Sequence, residues 1–188
     1  MEKVSLDGHS GPWTEEEFLA LDESFNKIEL IDGSLWVTPE PNRRHNDIAS
    51  ALSTLLRPPA LTAGLRVRTT VSVRLAPRRI VSPDLVIERE PSDLVFGDVS
   101  GVVLTCEVTS PSNAAYDQSL KMQVYAEAGI PWHLLAEPDF GDYRSVSLHL
   151  FQLRDKQYAK AATAKHGETL ISADPIPMSL STNFLIDF

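Results

Sequence analysis

Residues Gly101–Lys121 read GVVLTCEVTSPSNAAYDQSLK. An apolar strand runs to Glu107 and Val108, a Ser-Pro-Ser-Asn turn follows, and a helix then carries Asp117 and Lys121. Strand alternation predicts Val103, Thr105 and Glu107 on one face, with Val102, Leu104, Cys106 and Val108 on the other. An ionised carboxylate among residues this apolar is costly unless it is paired, hydrogen-bonded or bound to a metal. Glu107 therefore either reaches water or an arginine at the strand end, or belongs to a site with a second carboxylate. Asp84, upstream, supplies one.

Working outward, Gly129-Ile130-Pro131 ends the helix as a Gly-then-Pro stop. Trp132–Ala136 reads as a further apolar strand. Leu120 and Val124 predict the helix face turned to the core, with Lys121 one helical step away at its edge. Upstream, Val67, Thr69, Val71, Val73 and Leu75 alternate with polar residues, which predicts one half-buried strand. Ile80–Ile87 predicts another, with Ser82-Pro83-Asp84 inside it, and Glu88–Ser100 reads as a loop.

Nearer the N-terminus, Thr14-Glu15-Glu16-Glu17 has capping-box spacing, Trp13 and Phe18 form a hydrophobic staple, and a helix runs to Leu21 or Asp22. Lys27–Ile31 and Ser34–Val37 flank Asp32-Gly33, a type I′ hairpin signal. Ile48, Leu52, Leu55 and Leu56 mark a helix from Arg43 to Leu56, which Pro58-Pro59 should stop. Downstream, Val146–Leu153 and Tyr158–Ala162 predict a hairpin through Arg154-Asp155-Lys156, and the tail around Ile176–Met178 and Phe184–Ile186 is expected to be tied down. Strands outnumber helices, so the expected fold is mixed α/β (α+β), a central sheet flanked by helices with hairpins near both ends.

The 188 residues suit a single domain spanning 1–188. With one cysteine, Cys106, neither an intrachain disulfide nor a multi-cysteine zinc site can form. The N-terminus has no signal-peptide core and no run is long enough to span a membrane, so a soluble, cytoplasmic protein with no membrane attachment is expected. The net charge of −9 argues against binding nucleic acid by bulk charge. Between Asn42 and Pro83, however, eight arginines face one acid, Asp47. That segment is either a solvated face or a phosphate-binding one, in which Arg66, Arg68 and Arg74 would share strand parity.

If the strands of Asp84 and Glu107 are neighbours, their acids meet at one edge of the sheet. Two converging carboxylates suit Mg²⁺ or Mn²⁺, hard cations that take oxygen ligands at roughly 2.0–2.2 Å, and the Val108 carbonyl would be a further oxygen. Lys121 could place a positive charge on a phosphate or an attacking water. Strand-end acids are common, so spacing alone is a weak signal.

The order Pro83-Asp84, an apolar strand, then Glu107-Val-Thr resembles the active-site signature of the PD-(D/E)XK nuclease superfamily. More closely, the chain resembles the Uma-two family of restriction-endonuclease-like bacterial proteins. The matching residues are Glu29-Leu-Ile-Asp-Gly33, His45, Pro83-Asp84-Leu-Val, Glu107-Val-Thr-Ser-Pro-Ser112, Asp117, Lys121, Tyr125, and Gly129 with Trp132-His-Leu-Leu. The resemblance covers about Thr14 to Pro138 and extends to the C-terminal hairpin. The resemblance implies a restriction-endonuclease-like fold and metal-dependent cleavage of nucleic acid, DNA rather than RNA. It also implies Glu29 as an additional carboxylate near the metal. The superfamily's lysine two positions after the glutamate is absent, since Thr109 stands there, and the resemblance implies that Lys121 replaces it.

Each assignment has a plainer alternative. Asp117 and Lys121 form an (i, i+4) pair that on a helix surface is worth a few tenths of a kcal/mol. His45 either contacts phosphate, caps its helix or is solvated, and His133 reads as structural. Ser110 and Ser112 lack a nucleophile-elbow context, and no glycine-rich phosphate loop exists. Three function classes follow: a nuclease, a nucleic-acid-binding module that has lost turnover, and a structural protein whose acids pair with arginines. A homodimer is the expected assembly, because one short domain has little surface with which to hold a duplex.

Overall fold

Local signals open the fold where the sequence predicts them. The computed structural model describes residues 9–21, 26–39, 41–89, 97–110 and 116–187, with no side-chain description at 116–118. The Thr14 hydroxyl accepts the Glu17 N–H at 3.2 Å, and Glu17 accepts the Thr14 N–H at 2.8 Å. This reciprocal capping box starts helix α1 (Glu15–Leu19), and Trp13 is buried with Phe18 packed beside it. The helix ends earlier than expected, at Leu19, and Asp22 lies outside the described residues. Strands β1 (Lys27–Ile31) and β2 (Ser34–Thr38) pair antiparallel, with φ of 53° at Asp32 and 82° at Gly33, as a type I′ turn requires.

Helix α2 (Arg43–Thr62) overruns its predicted end and passes through Pro58 and Pro59. The prolines withhold donors from the carbonyls of Thr54 and Leu55, and Thr54 is exposed to water. Meanwhile Ala60, fully buried, extends the stripe of Ile48, Leu52 and Leu56, so packing favours the extra turn. Gly64, at φ 73°, closes the helix instead.

The alternating segment is two strands, not one: β3 (Leu65–Thr69) and β4 (Val73–Ala76). Thr70 turns the chain at φ 54°, and the halves enter different sheets. The next predicted strand divides likewise into β5 (Arg79–Val81) and β6 (Leu85–Arg89), with Ser82-Pro83-Asp84 as the crossing. The Ser72 and Ser82 hydroxyls, 2.9 Å apart, tie the two crossings together. The expected loop after Glu88 contains regular structure, since β7 (Gly97–Asp98) and a 3-10 turn lead into β8 (Val102–Val108). Residues 90–96 lie outside the described residues.

Helix α3 (Tyr116–Glu127) and strands β9 (Trp132–Pro138), β10 (Val146–Arg154), β11 (Gln157–Ala164), β12 (Thr169–Ser172) and β13 (Met178–Ser181) complete the chain. The β10–β11 hairpin turns at Asp155 and Lys156, with φ of 49° and 62°. The tail is held by the β12–β13 pair and by buried Ile176, Met178 and Leu185.

Among the described residues the larger sheet runs β11-β10-β9-β8-β6-β3 and the smaller β2-β1-β5-β4-β7. The result is a mixed α+β fold. Strands β8 and β9 are parallel and α3 makes their crossover. The larger sheet is covered on both faces, by α2 on one and α3 on the other. Leu85, Ile87, Leu104, Cys106 and Val108 pack toward α2, while Val86 packs toward Val124 and Tyr125 of α3. The expected alternation of β8 slips at its start. A register shift against β6 lies between Leu104 and Val102, so Val102 joins the α3 side and Val103 the α2 side. From Leu104 to Val108 the predicted faces hold.

Candidate functional site

Register brings the two acids together. Strands β6 and β8 pair antiparallel with Leu85 opposite Cys106, which sets Asp84 across from Glu107 where the sheets diverge. The Val108 N–H donates to Asp84 Oδ2 at 2.8 Å, and His45 Nε2 lies 3.2 Å from the same oxygen. Lys27 Nζ lies 3.3 Å from Asp84 Oδ1. Glu107 Oε1 accepts the Tyr125 hydroxyl at 2.5 Å and faces Lys121 Nζ at 3.2 Å. That ammonium is also 3.2 Å from Glu29 Oε1, which accepts the Ser82 N–H at 2.7 Å.

Lys121 is therefore not at the helix edge. Lys121, Val124 and Tyr125 are all buried, and this (i, i+3, i+4) set is the inner face of α3, while Leu120 is only partly covered. The expected Asp117–Lys121 pair rests on a side chain outside those described. Lys27, Asp84, Glu107, Lys121, His45 and Val108 line one cavity of about 60 Å³.

Electrostatics differ sharply between the two acids. Burial opposes ionisation of Asp84, but Lys27, the His45 hydrogen bond and Lys121 outweigh it and hold the carboxyl well below the ordinary aspartate range. Burial pushes the Glu107 carboxyl up; Lys121 opposes this and the Asp84 charge adds to it. Burial and the Glu107 charge raise the Tyr125 phenol, so it remains a proton donor. Burial also raises the Cys106 thiol, which removes it as a nucleophile. His133 is buried on Thr105, Nδ1 to Oγ1 at 3.0 Å, and burial lowers its pKa to about 3, so it is structural and neutral.

Two histidine and arginine expectations change. His45 is not solvated: it is buried, held at the start of α2 by its N–H donating to the Asn42 side chain at 3.0 Å, and turned onto Asp84. Its Nδ1 is buried without a hydrogen-bond partner among the described residues. Arg66, Arg68 and Arg74 do not share a face, because Arg66 and Arg68 stand on β3 of the larger sheet and Arg74 on β4 of the smaller. Arg68 pairs with buried Glu88, and Arg74 with Glu15 at 2.7 Å. Sequence reasoning missed Lys27 altogether. The signal was a cation at the outer end of a strand carrying Glu29, but its partner lies 57 residues away.

The donor set can be tested for a cation. Among the described residues no cluster of three or more His, Cys, Asp or Glu side chains is arranged to hold a metal. Zinc-type ligation is therefore not built here. Two carboxylates and the Val108 carbonyl are all hard oxygens, and Mg²⁺ characteristically takes one or two carboxylates and keeps several waters. Three acids, Glu29, Asp84 and Glu107, stand beside two lysines and His45. The residues fit Mg²⁺ or Mn²⁺.

A mixed sheet lies between α2 and α3, with acids at adjacent strand ends. Residues 15–185 match the Uma2 family, described as "Putative restriction endonuclease", and the chain belongs to that family. A solved structure described as a "putative nuclease belonging to DUF820" from Anabaena variabilis superposes with a TM-score of 0.71 at 17% identity. The match covers 93% of this chain and 98% of that one. No curated protein matches. Among the described residues no helix is long and apolar enough to cross a membrane.

Proposed function

We propose that this chain is a metal-dependent nuclease that hydrolyses phosphodiester bonds of nucleic acid, with DNA as the substrate. The observation that carries the reading is the convergence of Asp84 and Glu107 beside Lys121 in one cavity. Asp84 and Glu107, with the Val108 carbonyl, would hold Mg²⁺ or Mn²⁺. When bound, such an ion polarises the phosphate and lowers the pKa of an attacking water.

The chain's own residues do the rest. Val108 N–H and His45 fix the Asp84 carboxylate, and the Tyr125 hydroxyl fixes Glu107. Lys121 lies between Glu29 and Glu107, and its ammonium would stabilise the charge that develops on an attacked phosphate. Lys27, less buried, faces Asp84 from the cavity's other side. A homodimer would supply the second site that cutting both strands of a duplex requires. A cytoplasmic setting suits the single cysteine.

One observation favours a binding module without turnover: Lys27, Lys121 and His45 engage the carboxylate oxygens that a cation would need. Incubation of plasmid and of single-stranded DNA with Mg²⁺, Mn²⁺ or EDTA separates the two. Metal-dependent cleavage that disappears in Asp84→Asn and Glu107→Gln supports the nuclease. DNA binding with no cleavage under any metal supports the module.

A further inference from the structure

Beside the acidic cavity lies a larger groove of about 760 Å³, sharing Lys27, His45 and Asp84 with it. One wall is a single stripe of α2. Asn46, Ser50, Ser53 and Arg57 stand at steps of four, three and four residues, on the flank next to the buried Ile48–Leu52–Leu56 stripe. The other wall is made by the two crossings between the sheets, at Thr70 and Ser82. From Asn46 to Arg57 the helix rises about 16 Å. Among the described residues Asp84, at the end shared with the cavity, is the only acid lining the groove.

An exposed polar helix flank is ordinarily just solvated, but one buried group here points otherwise. His45, 6% exposed, leaves Nδ1 unpartnered among the described residues. A buried polar group left unpaired costs about 1–3 kcal/mol, so groups lining a groove in this state are suited to a ligand that satisfies them. Arg57 lines the groove and, unlike Arg68, Arg74 and Arg79, is not committed to a carboxylate among the described residues.

We infer that this groove binds the sugar–phosphate backbone of one polynucleotide strand and leads it to the acidic cavity. Hydroxyls and amides suit phosphate and sugar oxygens and carry no base code. Lys27 at one end and Arg57 at the other supply two phosphate contacts. A duplex presents a charge every ~1.7 Å along its axis, against ~3.4 Å for a single strand, and a groove lined by only Lys27 and Arg57 as lysine or arginine cations offers no broad basic face to match it. The inference rests on the nuclease reading for the identity of the ligand, but not on turnover.

The test is fluorescence anisotropy of a labelled thymidylate 12-mer and of a duplex of equal length, in EDTA so that cleavage plays no part. The wild-type protein should bind the single strand more tightly. Two phosphate contacts predict a log–log salt slope of about −1.4, reduced by about 0.7 in Arg57→Ala. Ser50→Trp, which fills the groove from an exposed position, should weaken binding about tenfold at unchanged melting temperature, and Arg57→Glu should do so at least as strongly. Wild-type affinity and slope in these variants overturn the inference, as does tighter binding of the duplex. Strand binding that depends on Arg57, in a protein that never cleaves, would sustain the groove and remove the nuclease reading. Cleavage retained with binding unaffected by all three substitutions would do the reverse.

Discussion

Tyr125 donates its hydroxyl to the same oxygen of Glu107, Oε1, that the Lys121 ammonium faces. Both donors lie on the inner face of α3, one turn apart, so the helix grips the end of β8 through a single carboxylate oxygen. The hydroxyl contact is the shorter, 2.5 Å against 3.2 Å. Glu107 is thereby oriented before any substrate arrives.

Tyr125→Phe tests that orientation while keeping the ring in place. Hydrogen bonds to charged groups are worth about 1.5–3 kcal/mol, so the urea midpoint should fall by that equivalent with the slope unchanged. An unaltered midpoint would mean that the hydroxyl does not hold Glu107.

Removing Lys121 should cost more. Lys121→Met leaves Glu29 and Glu107 buried without their shared cation, a loss of about 3–5 kcal/mol. Adding Glu29→Gln should recover part of it, and a double-mutant cycle by urea denaturation measures the coupling. In Lys121→Ala, turnover should fall far more than Mn²⁺ affinity, and Lys121→Arg should rescue only partly, because a planar guanidinium does not reproduce a compact ammonium. Normal cleavage by the alanine variant would leave Lys121 a purely structural cation.

Asp84→Asn should weaken Mn²⁺ binding at least tenfold by calorimetry, with the far-ultraviolet spectrum unchanged. The amide keeps the shape but loses the charge that Lys27 and His45 surround. Equal affinity in both proteins would remove Asp84 from the metal site.

His133 predicts a pH dependence of stability. Its folded pKa is about 3 against an ordinary value of 6.5, so between these limits the unfolded chain binds the extra proton. The stability of neutral His133 is thus complete above about pH 6.5 and lost as pH falls toward 3, roughly 2 kcal/mol of it by pH 5. Urea midpoints at neutral pH and near pH 5 should converge in His133→Gln relative to wild type. An identical pH slope in both proteins would refute the assignment.

Much of this was legible where the signal is local. Thr14 with Glu17, and Asp32-Gly33, act within four residues, and the structure realises both. The acids were legible because Pro83-Asp84 and Glu107 sit at strand ends that register brings together. Pro58-Pro59 misled because the propensity penalty is local, while the burial of Ala60 that outweighs it is tertiary. The alternation from Val67 to Leu75 misled because both halves keep one buried side each, and no glycine or proline marks the turn at Thr70. Lys27 and His45 acquire their meaning only from Asp84, far away in sequence.

Glu29 stands on the smaller sheet, Glu107 on the larger, and Lys121 on the helix between them. The cluster is thus a clasp whose halves belong to separate layers. If the β1–β2 hairpin peels away, Glu29 and Lys27 leave with it, while Asp84, Glu107 and Tyr125 stay behind. Chemistry at this place would then be extinguished while most of the larger sheet is still folded, so catalysis would report the docking of the two layers before any global probe of unfolding does.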